Sequence, residues 1–161
     1  MVKIRHARIE DGPAIVALGH FMHAESPRYR DAVYSEARCL STFESLMGNE
    51  FGVVLVATDD EELIGMMVGF VMPPFFSEGL TASEMVLYVA PKWRGSSVAP
   101  RLVWTFEHCA QEKGATEISV GVSTGVDADR TTKFYQHLGY TLMGTTLLKR
   151  LPCTQGKPAA A

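Results

Sequence analysis

The sequence predicts a single α/β domain (an α+β mixture), in which a mixed, mostly antiparallel sheet of six to seven strands carries helices on both faces. The first observation is the order of elements, β-α-α-β-β-β-α-β-α-β with a possible seventh strand at the end, which joins an antiparallel meander to a β-α-β crossover. The second is composition, because 47% hydrophobic and 20% charged residues are typical of globular proteins. The third is the length of 161 residues, which suits one domain with its own core.

The N-terminal part alternates polar and apolar residues over 2–8, as a half-buried strand does. Asp11 precedes an apolar helical pattern and is predicted to cap the first helix, with Pro13 in its first turn. Ser35 is predicted to cap a second helix, which Gly48 ends.

The middle of the chain predicts a meander of buried strands. Residues 51–58 and 62–72 are two apolar runs separated by the polar turn 59–61, which is the pattern of an antiparallel hairpin. A third apolar run, 85–90, stops at Pro91.

The clearest helix follows Pro91, because its apolar side chains recur at helical spacing and form one stripe. That stripe consists of Leu102, Val103, Phe106, Cys109 and Ala110. Gly114 is predicted to end the helix, and residues 117–122 to form a short strand.

The C-terminal part predicts one more helix, capped by Asp127 or Asp129. Residues 140–151 then read as one or two final strands, which completes the domain at residue 151. Residues 152–161 offer nothing to bury and are predicted to be a flexible tail.

Composition also excludes several classes of protein. A net charge of −3 gives no basic footprint for nucleic acid or a membrane surface. No apolar run reaches the ~18 residues of a membrane span, and the N-terminus lacks a signal-peptide segment, so a cytoplasmic location is expected. The three cysteines, Cys39, Cys109 and Cys153, have no C-x-x-C spacing, which argues against a disulfide framework or a zinc site.

The most informative stretch is 89–99, in which a strand ends at a proline and a short Gly-Ser loop opens a helix. Free amides and the helix dipole at such a turn favour a phosphate or pyrophosphate, and Arg94 and Arg101 are candidates to add charge. Many strand–loop–helix connections that bind no anion have a similar sequence, so this turn alone does not decide whether an anion binds here. The sequence contains neither a P-loop motif nor a G-x-G-x-x-G after its first strand.

Residues 89–99 resemble the acetyl-CoA motif of the GNAT superfamily, Arg/Gln-x-x-Gly-x-Gly/Ala, with Arg94 at its first position and Ala99 at its last. Ser97 stands where the family prefers glycine. Residues 133–140 resemble the family's late helix, Phe-Tyr-x-x-x-Gly-Phe/Tyr, although Ala128 and Thr131 depart from its usual upstream residues.

The resemblance implies a splay between strands 4 and 5 that receives acetyl-CoA as cosubstrate. The pantetheine arm would pair with the backbone of Leu87 and Val89. The pyrophosphate would be held by backbone amides of six consecutive residues: Arg94, Gly95, Ser96, Ser97, Val98 and Ala99.

The reaction implied is transfer of the acetyl group to a primary amine. By resemblance Tyr135 lies near the CoA sulfur, and a phenol is a suitable acid for a departing thiolate. The alternative is that Tyr135 is a core aromatic. Glu84 is the candidate base, because a partly desolvated carboxylate has a raised pKa; the alternative is a solvated strand end. A backbone amide near Leu87 is the candidate oxyanion donor.

The first helix and the loop after it are expected to line the acceptor pocket. Their candidates for acceptor recognition are His23, Glu25, Arg28, Tyr29 and Arg30. His20 and His23 lie three residues apart but lack a third ligand, so no metal site is expected. Cys109 belongs to the helix stripe, which favours direct transfer in a ternary complex over a cysteine intermediate.

The acceptor remains open between a small molecule and a peptide amine. Since members of the family are often dimers, a homodimer is one expectation. Two alternatives to the enzyme remain. The first is a non-catalytic module of this fold that binds acyl-CoA or a protein, favoured by the departures at Ser97, Ala128 and Thr131. The second is a nucleotide-binding fold of another family, which the missing motifs weaken.

Overall fold

A computed structural model describes residues 1–151 and places a five-stranded sheet at the centre of the molecule. The strands are β1 (Val2–His6), β2 (Gly52–Asp59), β3 (Glu62–Met72), β4 (Leu80–Val89) and β5 (Ala115–Ser119), and they lie side by side in chain order. The first four are antiparallel to their neighbours, whereas β5 runs parallel to β4. The mixed sheet and its antiparallel meander are therefore confirmed.

Four helices cover the two faces of this sheet. They are α1 (Gly12–Glu25), α2 (Glu36–Met47), α3 (Val98–Glu112) and α4 (Ala128–His137), with short 3-10 turns at Ile9–Asp11 and Pro91–Trp93. Alternation along β2 separates two cores: Val53 and Leu55 pack toward α3, whereas Val54 and Val56 pack toward α1 and α2. The sheet is thus buried on both sides.

The caps of the helices largely follow the sequence. The Ser35 hydroxyl accepts a hydrogen bond from the Arg38 amide, and the Asp127 carboxylate accepts one from the Arg130 amide. Asp11 is the N-cap residue of α1 and Pro13 lies in the first turn, as predicted, but the Asp11 carboxylate makes no cap hydrogen bond to the helix. It instead binds both terminal nitrogens of the Arg5 guanidinium, at 2.7 and 2.8 Å, which ties β1 to the start of the helix.

The largest differences from the sequence prediction concern three of the predicted strand segments. The strand predicted over 85–90 begins at Leu80, so that Glu84 lies within β4 and not at its head. The strand predicted over 117–122 spans 115–119. Residues 140–151 form no strand, so the described chain has five strands and not six or seven. The tail predicted for 152–161 lies outside the described residues.

Candidate functional site

The sheet opens between β4 and β5. The two strands pair only from Leu80–Ser83 against Ala115–Ser119, and β4 then continues to Val89 without β5 beside it. Backbone groups alternate in direction along a strand, and the Ala90 amide bonds to Ile64 of β3. The amides of Leu87 and Val89 therefore face away from β3, toward the opening.

A bulge in β4 stands where the opening begins. Val68 of β3 pairs with Val86 but its neighbour Gly69 pairs with Glu84, which leaves Met85 as the extra residue. Such a bulge bends a strand and re-aims its side chains. Gly69 makes the bulge possible, because a Cβ there would collide with the Ser83 carbonyl oxygen and the ring of Phe106.

The opening forms a cleft of about 480 Å³, a volume within the ~300–1,000 Å³ of small-molecule sites. Its walls come from β4, the turn before α3, residues 121–127, α4 and the end of α1. Among the sequence-predicted residues, the cleft is lined by Leu87, Val89, Arg94, Gly95, Ser96, Ala99, Glu84 and Tyr135. Ser97 and Val98 do not line it, and the Val98 side chain is buried in the core.

The turn before α3 presents fewer free amides than the sequence suggests. Within residues 94–99, the Arg94 and Ser96 amides donate to the carbonyls of Pro91 and Trp93, and the Val98 amide donates to Ser96 Oγ. The amides of Gly95, Ser97 and Ala99 have no acceptor among the described residues. Gly95 has φ 79°, and a Cβ on it would meet nothing within 4 Å, so the turn is open above this residue.

The two arginines expected to add charge at this turn are engaged elsewhere. Arg94 Nε donates to the Val89 carbonyl at 2.9 Å, its Nη2 lies 2.6 Å from Glu25 Oε1, and its guanidinium sits over the Tyr88 ring. Arg101 Nη1 donates to the Val2 carbonyl. Arg94 therefore joins the end of β4 to the end of α1 and at the same time lines the cleft.

Glu84 projects into the cleft from the strand bulge. Its Oε2 accepts a hydrogen bond of 3.0 Å from the Gly121 amide, which lies just beyond β5. Burial raises the pKa of the Glu84 carboxyl above its ordinary value, and the amides of Gly121 and Leu87 only partly oppose this. A carboxylate in this position bridges the two diverging strands and holds a proton more readily than an exposed one.

Tyr135 faces the same cleft from α4 and is only 4% exposed. Its hydroxyl has no hydrogen-bond partner within residues 1–151, and no side-chain oxygen there is both fully buried and unpaired. The Tyr135 hydroxyl is therefore open to the cleft. Burial raises the pKa of this phenol, and the nearby charge of Glu84 raises it further, which keeps the hydroxyl a proton donor.

Tyr140 belongs to the predicted motif at 133–140, but its hydrogen-bond partner Glu107 was not predicted. The Tyr140 hydroxyl donates to Glu107 Oε1 of α3 at 2.9 Å, and its ring packs against that of Tyr135 with centroids 5.3 Å apart. Glu107 lies one residue past the buried Phe106 of the apolar stripe. Its place in the helical pattern therefore gives no signal that it contacts a residue of the site. The pair ties α4 to α3 directly behind Tyr135.

The candidates for acceptor recognition divide into two groups. Glu25 and Tyr29 line the cleft, whereas His23, Arg28 and Arg30 do not. The imidazole rings of His20 and His23 instead pack against the Tyr34 ring at 5.0 and 5.3 Å.

The loop after α1 is fastened to the wall of the cleft. Ser26 Oγ donates to the Thr124 carbonyl at 2.6 Å, which joins the two segments directly. Thr131, one of the departures from the family pattern, lines the cleft, and its hydroxyl donates to the carbonyl of Asp127, the N-cap residue of α4.

Within residues 1–151, no three His, Cys, Asp or Glu side chains come together so as to hold a metal ion. Across the same residues, no helix combines the length and the apolar character needed to cross a bilayer.

Comparison with known structures shows the same fold in several proteins, acetyltransferases among them. A transcriptional regulator from Bacillus halodurans matches with a TM-score of 0.77 and 21% identity, covering 94% of this chain and 100% of its own. Aminoglycoside N-acetyltransferase AAC(6')-Iy in complex with CoA matches with a TM-score of 0.76 and 17% identity, covering 95% and 96%. Glucosamine-6-phosphate N-acetyltransferase from Arabidopsis thaliana matches with a TM-score of 0.72 and 15% identity, covering 93% and 98%.

A search of curated protein sequences found no match. The profile of the Acetyltransferase (GNAT) family, however, matches residues 18–140, which include β4, the turn before α3 and the α4 tyrosine. Since the profile covers well over half of the chain and the fold agrees, this chain belongs to the GNAT acetyltransferase family.

Proposed function

We propose that this protein transfers an acetyl group from acetyl-CoA to a primary amine, by direct transfer in a ternary complex. The observation that carries the proposal is that Glu84 from β4 and Tyr135 from α4 line one cleft, which opens where β4 leaves β5. Acetyl-CoA, when bound, supplies the acetyl group as a thioester.

The described residues fit such a cosubstrate. The unpaired amides of Gly95, Ser97 and Ala99 lie at the N-terminus of α3, where the helix dipole favours a pyrophosphate. The open space above Gly95 leaves room for it. The edge of β4 turns the amides of Leu87 and Val89 toward an extended chain of amides such as pantetheine, while the Val89 carbonyl is bonded to Arg94 Nε.

Proton transfer follows from the two titratable side chains. A primary amine must be neutral to attack a thioester, and the Glu84 carboxylate is placed to accept its proton, directly or through water. The Tyr135 hydroxyl is placed to donate a proton to the departing sulfur. Cys109 is 5% exposed and belongs to the core beneath α3, away from the cleft, which supports direct transfer over a cysteine intermediate.

The acceptor we propose is a small-molecule or peptide amine that enters between the end of α1 and residues 121–127. Tyr29 and Glu25 line this side of the cleft. No single contact selects between a sugar amine and a peptide amine, so the experiment has to use both.

The first test is binding. A ligand that binds only the folded state at about 100 times its Kd stabilises it by ~2.7 kcal/mol, so acetyl-CoA should raise the melting temperature by several degrees. The second is transfer, measured by mass spectrometry on a panel of amino sugars, polyamines and short peptides. Absence of any thermal shift with acetyl-CoA rejects the proposal. Binding without transfer to any amine favours a non-catalytic module.

A further inference from the structure

The cleft contains apolar side chains to which the proposed reaction gives no role. Met85, the extra residue of the β4 bulge, is 45% exposed, and Tyr29 is 36% exposed. Both line the cleft, together with Met22 of α1 and the buried Tyr88 of β4. Large apolar side chains that stay open inside a cleft indicate a ligand with an apolar surface of its own.

Most of this apolar surface lies on the face of the sheet opposite to the cosubstrate turn. Tyr135 belongs to the core beneath α3, and the turn that faces the cosubstrate leads into α3. Tyr88 and Met22 pack instead in the core beneath α1 and α2. Tyr29 lies in the turn directly after α1. An acceptor that approaches from the α1 face therefore contacts apolar side chains first.

The acidic residues of the cleft leave little charge for a polycation. Within the described chain, Glu25, Glu84 and Asp127 are the acidic residues that line it. Glu25 Oε1 lies 2.6 Å from Arg94 Nη2, so its charge is already paired. The Asp127 carboxylate accepts the Arg130 amide as the N-cap of α4. Since Arg94 and Arg130 also line the cleft, an acceptor with several ammonium groups would find its charge poorly offset.

A further positive charge lies beside the aromatic surface. The Arg28 guanidinium is 5.1 Å from the centre of the Tyr29 ring. It repels an ammonium ion but not a neutral amine. Apolar surroundings act in the same direction, because desolvation disfavours the charged form of a bound amine. Both effects favour the form of the amine that attacks a thioester.

We propose that the acceptor is a lone primary amine on an aromatic body, which lies against Met22, Tyr29 and Met85. This inference rests on the proposed transfer reaction and narrows its acceptor. Thioether sulfurs make favourable contacts with aromatic rings, and a tyrosine ring packs against another ring at its edge or face. These side chains therefore suit an aromatic ring better than a sugar. Met85 also adjoins Glu84 in the chain, which brings the ring and the candidate base to the same part of the cleft.

The transfer then balances with the residues already described. The amine nitrogen forms a bond to the acetyl carbon as the carbon–sulfur bond of the thioester breaks. Glu84 accepts the proton that the amine loses, and Tyr135 gives its proton to the departing sulfur. Exchange with solvent returns both side chains to their starting states.

The first experiment compares kcat/KM for amines of different body and charge, with acetyl-CoA and the full chain. Phenethylamine should exceed ethylamine by about 100-fold or more, because a single methylene in an apolar pocket is worth ~10–200-fold. It should also exceed the polyamine spermidine and the amino sugar neamine. A preference for spermidine or neamine, or equal values for phenethylamine and ethylamine, overturns this inference and leaves the transfer reaction in place. The peptide Phe-Ala-Ala amide presents the same ring at a chain end, so its rate shows whether the ring comes from a peptide or from a free small molecule.

The second experiment removes one aromatic contact. In Tyr29→Ala the KM for phenethylamine should rise about tenfold, whereas kcat, the KM for acetyl-CoA and the KM for ethylamine should stay unchanged. Tyr29→Phe keeps the ring and should behave as the wild type. Phe21→Ala is the matched control, because Phe21 is 63% exposed on α1 but does not line the cleft. An equal loss with ethylamine would mean that Tyr29 only supports the turn, which contradicts its contact with the ring.

Thermal shifts separate a failure of this inference from a failure of the reaction. CoA carries no acetyl group, so a complex of the protein with CoA and phenethylamine is stable, and phenethylamine should raise its melting temperature further. If acetyl-CoA itself causes no shift, the reaction and this inference fail together. If phenethylamine binds the CoA complex but no amide forms from acetyl-CoA, the reaction fails and the aromatic site is supported. If phenethylamine causes no shift while another amine is acetylated, the aromatic site is wrong and the reaction stands.

Discussion

At the scale of single residues, burial in the cleft acts on two ionisable groups to which we assign opposite roles in the proposed reaction. Burial raises the pKa of both Glu84 and Tyr135. For the carboxyl this brings the pKa closer to neutral pH, where a base is more effective, whereas for the phenol it moves ionisation still further above the physiological range. In the proposed reaction, the same burial would therefore suit Glu84 to accept a proton and Tyr135 to donate one.

The role of Tyr135 is tested by Tyr135→Phe, which removes the hydroxyl and keeps the ring that packs against Tyr140. We expect turnover of the best panel amine to fall about 10²-fold or more, with acetyl-CoA affinity unchanged. Steady-state kinetics and calorimetry measure the two. Tyr34→Phe is the control, because the Tyr34 hydroxyl bonds to the Val16 carbonyl outside the cleft. Equal turnover in both variants would remove Tyr135 from the mechanism.

The role of Glu84 is tested by the pH dependence of Glu84→Gln. The wild-type rate should rise as pH increases through the raised pKa of this carboxyl, whereas the variant should lack that limb and be slower at neutral pH. The stability of the folded state should change with pH in the opposite direction to the rate. A carboxyl with a raised pKa in the folded state loses stabilisation as pH rises from its unfolded to its folded pKa, so the variant should unfold at the same or a higher temperature at pH 7. A pH–rate profile identical to that of the wild type would exclude Glu84 as the base.

At the scale of elements, the bulge in β4 determines where the sheet opens, and Gly69 is its counterpart on β3. In Gly69→Ala the new methyl group would meet the Ser83 carbonyl and the Phe106 ring. We expect a loss of about 1–3 kcal/mol in the free energy of unfolding and weaker acetyl-CoA binding.

Urea titration and calorimetry measure the two effects of Gly69→Ala. The control is Gly48→Ala at the end of α2, where a Cβ has ordinary contacts and the expected change is within about 0.5 kcal/mol. Tight acetyl-CoA binding by a destabilised Gly69→Ala would show that the bulge does not shape the site.

The sequence predicts most elements because their signals are local. Ser35 caps α2 as expected, and the stripe of α3 packs on the sheet as its spacing requires. The start of β4 was missed because Leu80-Thr81-Ala82-Ser83 is not an apolar run and is recognised as a strand only by its neighbours β3 and β5.

The candidate site was predicted in part, and its errors have one physical origin. The turn at 94–99 was located correctly, but three of its amides are used locally. The carbonyls of the 3-10 turn Pro91–Trp93 accept two of them, and the Ser96 hydroxyl accepts the third. The final strands over 140–151 were wrong for the described chain, although the β-prone composition is real. A strand needs a partner edge, and whether an edge is in reach is a property of the tertiary structure and not of the segment.

At the scale of the whole molecule, one sheet joins two separate cores. Residues of β2 and β3 alternate between the two cores, so both helix layers pack on the same strands. Loss of packing in either layer, α1–α2 or α3–α4, therefore weakens the strands on which the other layer packs. Arg94 adds a direct connection between the layers through Glu25. We therefore expect the domain to unfold as one cooperative unit.

This cooperativity can be tested because both tryptophans lie on the same side of the sheet, the side covered by α3. Trp93 packs against the core of α3, and Trp104 lies on α3 itself, whereas Phe43 is 4% exposed in the opposite core beneath α2. Phe43→Ala should cost about 3–5 kcal/mol. It should shift the thermal transition seen by tryptophan fluorescence as far as the one seen by circular dichroism. A dichroism transition that moves while the fluorescence transition stays would mean that the α1–α2 layer melts by itself. The acceptor side of the cleft would then open while the turn that faces the cosubstrate remained intact.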